Sequence, residues 1–181
     1  MDSPSDDWKL LERAQKGSES SWQQLVNSYY PQLMRMSFMI TGSMAASQDL
    51  VQESFVKLYY WKPKHRDGNL SSYLSTLVFR ASIKEKNRRL KLVNFEDVDP
   101  VEKSPNPLSE LLLKEREKSI LEVIDSLDDA HREILILRFY GEHSYMEIAQ
   151  ILGLPVGTVK SRIFHAVKKC REGLHKMGLM E

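Results

Sequence analysis

Apolar residues recur at intervals of three and four positions along most of this chain, the spacing that gathers them on one face of an α-helix. Four such segments lie in the first ninety residues, at 7–16, 21–40, 46–61 and from Ser71 or Ser72, whose hydroxyl is predicted to cap the fourth helix. A strand would show alternation at every second position, and no segment of the sequence has that pattern. The sequence therefore predicts an all-α protein.

The last forty residues contain two helical segments separated by a tight turn. Ser144 and Glu147 have the spacing of a capping box, in which each side chain bonds the backbone amide of the other residue. Gly153 supplies the left-handed residue that ends the first helix, and Pro155 suits the first turn of the second. Two helices joined in this way are typical of a helix-turn-helix.

The second of these helices carries different chemistry on its two faces. Its predicted buried stripe consists of Val159, Ile163, Val167, Cys170 and Leu174. Its predicted outward face consists of Lys160, Ser161, Arg162, Phe164 and His165. Such a face fits the major groove of DNA, with cations on phosphates and a few side chains on base edges. A hairpin in an ordinary helical bundle also has one apolar stripe, and its cations are then simply solvated.

Residues 91–107 differ in composition from both ends of the chain. They contain Pro100, Pro105 and Pro107 among several acidic residues, so we predict an extended acidic linker. Residues 1–90 and 108–181 are then two small helical domains on either side of it. Basic and acidic residues number thirteen and nine in 1–90, six and twelve in 91–137, and seven and four in 138–181.

The net charge of the whole chain is only +1. A protein that grips DNA unaided usually carries a clear positive excess, because counterion release drives its affinity. We therefore expect this chain to need a partner that holds it on DNA.

Other classes of protein are disfavoured by the composition. Hydrophobic residues make up 41% of the 181 residues, no apolar run reaches the length of a membrane span, and the polar N-terminus is not expected to be a signal peptide. The single cysteine cannot form an internal disulfide, and the five histidines show no metal-ligand spacing. Without a nucleophile–base pair or a phosphate cradle, we expect no enzyme and no cofactor. A reducing cytoplasm is the expected location.

Two motifs of the chain are specific enough to indicate a family. The first is Asp49-Leu50-Val51-Gln52-Glu53-Ser54-Phe55, and the second is Gly157-Thr158-Val159-Lys160-Ser161-Arg162. They resemble those of the extracytoplasmic-function (ECF) sigma factors of bacterial RNA polymerase, in the sigma-70 family. The resemblance extends from about Leu10 to Leu174 and places the motifs in the family's order, on either side of the acidic linker. It implies that 1–90 is sigma region 2 and that 108–181 is the region 4 helix-turn-helix.

The resemblance implies that the helix with the first motif docks on the clamp helices of core RNA polymerase. The residues it assigns to this contact are Asp49, Leu50, Gln52, Glu53 and Phe55. Their hydrogen-bond acceptors suit a cationic helical partner. Judged from the residues alone, however, the polar face around Gln48 and Gln52 is equally an ordinary solvated helix face.

The resemblance also implies that the loop at 64–69 and the following helix capture the minus-ten strand of the promoter. The candidate residues are His65, Arg66, Tyr73, Arg80, Lys84, Arg88 and Arg89. Single strands are held by stacking faces and cations, which these residues and Phe79 can supply. Tyr73, Arg80 and Lys84 stand where the family commonly has tryptophan, asparagine and aspartate, so its base-specific contacts do not carry over to Arg80 and Lys84. The cations from 84 to 89 can equally be a solubilising helix end.

For the minus-thirty-five element, the resemblance implies contacts from the helix that begins near Pro155. The candidate residues are Thr158, Lys160, Ser161, Arg162, Phe164, His165 and Lys168, with Arg162 as the main anchor. His165 replaces a common arginine and offers one donor and one acceptor instead of a bidentate fork. The resemblance also implies an anti-sigma factor as a partner.

Two other hypotheses stay open at this point. A stand-alone helix-turn-helix regulator that binds an operator as a dimer would explain the pattern of residues 144–174. It would give the first ninety residues no function. A helical adaptor that binds only protein would leave the cations of the last helix without a task.

Overall fold

A computed structural model of the chain describes residues 4–61, 69–93, 120 and 122–179. Within these ranges the secondary structure is helical and no residue lies in a strand, which confirms the predicted all-α fold class. The chain divides into two compact units, Met1–Leu92 and Val93–Glu181, and each unit is treated by itself below.

The described residues of the first unit form four helices. They are α1 at Pro4–Gln15, α2 at Glu19–Thr41, α3 at Met44–Tyr60 and α4 at Leu70–Val93. Helix α2 packs against both α1 and α3, and α1 also contacts α3. The core is built from the apolar stripes of all four, with Leu11, Met36, Leu58 and Leu74 among its buried members.

Short capping signals set the ends of these helices. The Ser18 hydroxyl accepts a hydrogen bond from the amide of Ser21 at the start of α2, and Ser43 accepts one from Ala46 at the start of α3. Between them Gly42 ends α2 with a φ of 64°, a left-handed conformation that glycine adopts without a steric penalty. The connection from α2 to α3 is therefore very short.

The predicted serine cap of α4 is wrong. Helix α4 begins at Leu70, and the Asn69 side-chain oxygen accepts the hydrogen bond from the Ser71 amide at 3.0 Å. Helix α4 therefore begins two or three residues earlier than a cap at Ser71 or Ser72 predicts, and Leu70 is fully buried. Helix α4 also continues to Val93, which makes 91–93, the beginning of the predicted linker, helical. The rest of that linker lies outside the described residues.

Among the described residues of the second unit, three helices and one π-helical turn have defined bounds. They are α5 at Asp129–Leu135, the π turn at Ile136–Tyr140, α6 at Tyr145–Leu152 and α7 at Val156–Lys176. Residues 122–125 are also helical. Both α5 and α6 pack against α7.

The buried stripe of α7 differs from the predicted one at Val167, which is exposed. Ala166 is fully buried in its place, beside Val159 and Ile163, while Cys170 and Leu174 are half-buried. A period of 3.6 residues brings position 166 back to the buried side and carries position 167 past it. Burial raises the pKa of the Cys170 thiol.

No helix among the described residues combines the length and the apolar character that crossing a membrane requires.

Candidate nucleic-acid and protein interfaces

The helix-turn-helix has the local geometry that its sequence predicts. The Ser144 amide donates to Glu147 Oε2 at 2.8 Å, and the Glu147 amide donates to Ser144 Oγ at 3.2 Å, so the capping box is confirmed. Gly153 has a φ of 65°, and its amide and that of Leu154 both donate to the Ala149 carbonyl. Pro155 occupies the N-cap position of α7. These bonds fix the angle at which α7 leaves the turn.

The outward face of α7 is cationic with one large aromatic group on it. Lys160, Ser161, Phe164, His165 and Lys168 are exposed, whereas Thr158 and Arg162 are half-buried at its edges. The Phe164 side chain is 66% exposed and meets the His165 ring edge-on, with 5.4 Å between centroids. An apolar ring held among cations in this way can contact a thymine methyl group while its neighbours reach phosphates.

The Lys169 side chain forms an ion pair within the same unit. Its Nζ lies 2.9 Å from Asp128 Oδ2, and the His131 ring nitrogen lies 2.7 Å from the same carboxylate. These two hydrogen bonds lower the pKa of Asp128, the bond from Lys169 being the larger cause. Asp128 is also the N-cap of α5, so this cluster ties the start of α5 to α7. Among the residues that the structure describes, no group of acids, histidines or cysteines could hold a metal ion.

Sequence reasoning missed the π turn and the segment after it. Gly141 donates to the Ile136 carbonyl five residues back, and Arg138 Nη1 donates to the His143 carbonyl at 2.9 Å. The Arg138 guanidinium lies 5.3 Å from the centroid of the Tyr145 ring. The His143 side chain is fully buried, and this burial lowers its pKa against the opposing effect of Glu147. No periodic signal in the sequence marks this packing.

The polar patch on α3 is exposed at Gln48, Asp49, Gln52 and Glu53, and Glu53 forms an ion pair with Lys57 at 2.8 Å. Leu50 beside it is half-buried. The exposed side chains of Val56 and Tyr60 follow at helical spacing and extend this face, which sequence reasoning did not include.

Phe55, which the resemblance assigns to the polymerase contact, lies in the core of the first unit. Its side chain is only 5% exposed and packs edge-on against Trp22, with ring centroids 5.9 Å apart. Position 55 lies one turn from Val51 and Leu58, both fully buried, so it belongs to the core face of α3.

The candidates on α4 fall on two sides of that helix. Tyr73, Arg80, Lys84 and Arg88 follow one another at intervals of seven, four and four residues, which places them along one stripe. Arg89 lies outside this stripe. Phe79 is buried and belongs to the core. The structure leaves two other candidates, His65 and Arg66, outside the described residues.

Tyr73 belongs to a row of aromatic rings in the first unit. Its ring stacks on that of Trp61, with centroids 4.1 Å apart and planes 6° from parallel, and Trp61 in turn contacts Trp8. Burial raises the pKa of Tyr73, against the opposing charge of Lys57. Sequence reasoning treated Trp61 only as the end of a helix. The sequence feature that could have indicated this role is the position of Trp61, an aromatic residue shortly before the polar loop.

One amide side chain holds the end of α3 beneath this row. Gln15 Nε2 on α1 lies 3.2, 3.0 and 2.8 Å from the carbonyl oxygens of Leu58, Tyr59 and Trp61. The last carbonyls of a helix lack intrahelical amide donors. The Trp61 amide donates to the Leu58 carbonyl, and Gln15 adds a donor there and at the carbonyls of Tyr59 and Trp61. It therefore fixes the backbone that carries Trp61.

Comparison with known proteins identifies the family of this chain. The family models described as Sigma-70 region 2 and Sigma-70, region 4 match residues 25–91 and 123–172. The ECF RNA polymerase sigma-E factor of Salmonella typhimurium is 31% identical over 177 residues, which cover 88% of this chain and 90% of the relative. The chain belongs to the ECF sigma factors of the sigma-70 family. The sigma-E factor of Escherichia coli K12 is 30% identical over the same shares.

Two solved structures share the fold of this sigma factor. The sigma factor RpoE of Bartonella quintana, in complex with the anti-sigma factor NepR, has a TM-score of 0.66 at 22% identity and covers 84% of this chain and 96% of its own. CnrH, in complex with the cytosolic domain of CnrY, has a TM-score of 0.59 at 21% identity and covers 94% and 97%.

Proposed function

We propose that this sigma factor docks on core RNA polymerase through α3 and presents α4 and α7 to the two elements of a promoter. As a sigma factor it directs promoter recognition and transcription initiation. The observation that carries the assignment of surfaces is that each family motif contributes exposed polar or charged side chains to a helix face of its own unit. Residues 1–90 and 108–181 are the proposed region 2 and region 4 domains, with 91–107 as the linker.

The docking face of α3 is proposed to comprise Asp49, Gln52, Glu53, Val56 and Tyr60. Its acidic end suits a cationic helix, and its apolar end adds surface that can be buried on contact. Phe55 supports this face from inside the core, where it packs on Trp22. Leu50 contributes at the edge of the face.

Reversing the acidic charges of the docking face is expected to abolish polymerase binding. Asp49→Arg combined with Glu53→Arg places cations opposite a cationic partner, and like charges across an interface cost several kcal/mol. The affinity for core polymerase should fall by at least about a hundredfold. Competition binding with a fluorescent copy of the wild-type chain measures this.

The matched control for that variant is Asp6→Arg with Glu12→Arg, which makes the same change in net charge on α1. Both acids form ion pairs along the surface of that helix. The control should bind core polymerase like the wild type. Equal binding by both double variants would contradict the docking assignment.

For the minus-ten strand, we propose that Tyr73, Arg80, Lys84 and Arg88 form a track along α4. The Trp61–Tyr73 stack gives the track a rigid aromatic end on which an unpaired base can stack. The three cations then follow the phosphates of the strand. His65 and Arg66 stay in this proposed set as residues of the adjoining loop.

For the minus-thirty-five element, we propose that α7 enters the major groove. Lys160 and Lys168 hold phosphates, Phe164 meets an apolar base edge, and Ser161 and His165 offer hydrogen bonds. Thr158 and Arg162 lie at the edges of this face, where Arg162 is the proposed anchor.

The remaining proposals concern the setting of this activity. We propose that the catalytic chemistry belongs to the polymerase and that the chain itself is not an enzyme. Acting on RNA polymerase places it in the cytoplasm. Membership of the ECF group is what supports an anti-sigma factor as a further partner.

A further inference from the structure

The carboxylate of Glu85 on α4 holds two arginines at once. Its oxygens lie 2.9 Å from Arg88 Nε, 2.9 Å from Arg88 Nη2 and 3.0 Å from Arg89 Nε. The Glu85 side chain is only 16% exposed, and hydrogen bonds from the arginines, that from Arg88 first, lower its pKa to about 2. Glu85 is therefore ionised at any physiological pH.

The two arginines occupy different sides of α4. Arg88 follows Lys84 by one turn, so it continues the proposed DNA track, and its side chain is 62% exposed. Arg89 is rotated away from that stripe and is 39% exposed. Its Nη2 donates to Ser43 Oγ at 3.3 Å, and Ser43 is the N-cap of α3. Arg89 thus ties α4 to the docking helix, whereas Arg88 faces the track.

Glu85 is also the only acid in the basic run from 84 to 93, which contains five lysines and arginines. Arg88 grips it with two parallel N–H···O bonds, the geometry in which a guanidinium also binds a phosphate. A phosphate can therefore replace the carboxylate on Arg88 without a change in the donor groups used. The Arg88 side chain is 62% exposed, and ion pairs whose cation reaches solvent in this way are weak, so the exchange costs little.

We propose that Glu85 is a positioning residue of the minus-ten site, which holds Arg88 in the free chain and yields it to a backbone phosphate of the melted strand. Arg89 stays on Glu85 and Ser43 throughout. This inference rests on the proposed function of α4. The Glu85 carboxylate then competes with DNA phosphates for Arg88. This competition keeps the free chain from binding other polyanions tightly.

Binding of the reconstituted holoenzyme to a promoter fragment with a single-stranded minus-ten region, measured over a range of KCl concentrations, tests the proposal. Glu85→Gln removes the competing charge and should raise the affinity about two- to fivefold, the effect of releasing an exposed ion pair. Arg88→Ala removes one phosphate contact and should reduce the slope of log affinity against log salt by about 0.7. Far-UV circular dichroism checks that both variants fold.

The matched control is Glu12→Gln, which removes the acid of an i,i+4 ion pair with Lys16 on α1 and changes the net charge equally. It should bind the fragment like the wild type. Unchanged or weaker binding by Glu85→Gln, or an unchanged salt slope for Arg88→Ala, would overturn the proposal. A wild-type holoenzyme that prefers closed duplex to the melted fragment would instead contradict the proposed function of α4.

Discussion

At the scale of single residues, two side chains of the same type can differ in solvent exposure. Only the exposed one can contact a partner molecule. Phe55 and Phe164 both lie in the family's motif-bearing helices, yet the first is buried and the second is exposed. The sequence predicts the periodicity of each helix, but it does not predict whether neighbouring helices bury a particular aromatic side chain of that helix. Val167 and Ala166 show the same difficulty one residue apart.

Buried His143 makes the stability of the second unit depend on pH. Its pKa is lowered in the folded state, so the unfolded chain binds the proton more readily. Neutral His143 makes its full contribution to the free energy of unfolding at a pH above the pKa of an unfolded histidine, about 6.5. This contribution is lost as the pH falls towards the lower pKa of His143 in the folded state. We expect the unfolding midpoint of this unit to fall between pH 7 and pH 5.

Replacing His143 by Gln should flatten that pH dependence. The exposed His165→Gln serves as the control and should keep the wild-type profile. All three tryptophans lie in the first unit, so fluorescence follows that unit while far-UV circular dichroism follows both. A variant at 143 with the same loss of stability from pH 7 to pH 5 as the wild type would refute the prediction.

At the scale of elements, local signals predicted the helix ends best where one side chain decides them. The capping box at Ser144 and Glu147 and the left-handed Gly153 are both confirmed. The start of α4 was wrong because an asparagine precedes the serines and Leu70 is drawn into the core. The π turn escaped prediction because it depends on packing around four consecutive buried residues, 134–137.

Two glycines near the turn of the helix-turn-helix should respond oppositely to alanine. Gly153 has a φ of 65°, which costs an L residue roughly 1–2 kcal/mol. Gly157 lies in the first turn of α7 with ordinary φ and open space around its Cα, so alanine there should stabilise by up to about 1 kcal/mol. Urea unfolding followed by circular dichroism compares Gly153→Ala with its control Gly157→Ala. Equal stability of the two variants would contradict this account of the turn.

At the scale of the whole molecule, the sequence predicted the fold class and the family, because both motifs and the helical periodicity are local in the chain. It did not predict the contacts that join distant segments. Gln15 beneath Trp61, the Trp61–Tyr73 stack and the Arg89–Ser43 bond each join two helices of the first unit. Such contacts depend on tertiary packing, which leaves no periodic trace in the sequence.

The near-neutral net charge of the whole chain is expected to make its DNA binding depend on core polymerase. With a net charge of only +1, the chain has little counterion release to draw on when it is alone. The surfaces of α4 and α7 proposed to contact DNA are therefore expected to act together only on the polymerase. This dependence on a partner is what separates a sigma factor from a stand-alone regulator.

The most direct test is a gel shift of promoter DNA with the purified chain, in the presence and in the absence of core RNA polymerase that lacks any other sigma factor. We expect a specific shifted complex only when both proteins are present, and transcription from a defined start site in the same mixture. Binding that is equally strong and specific without core polymerase would contradict the account.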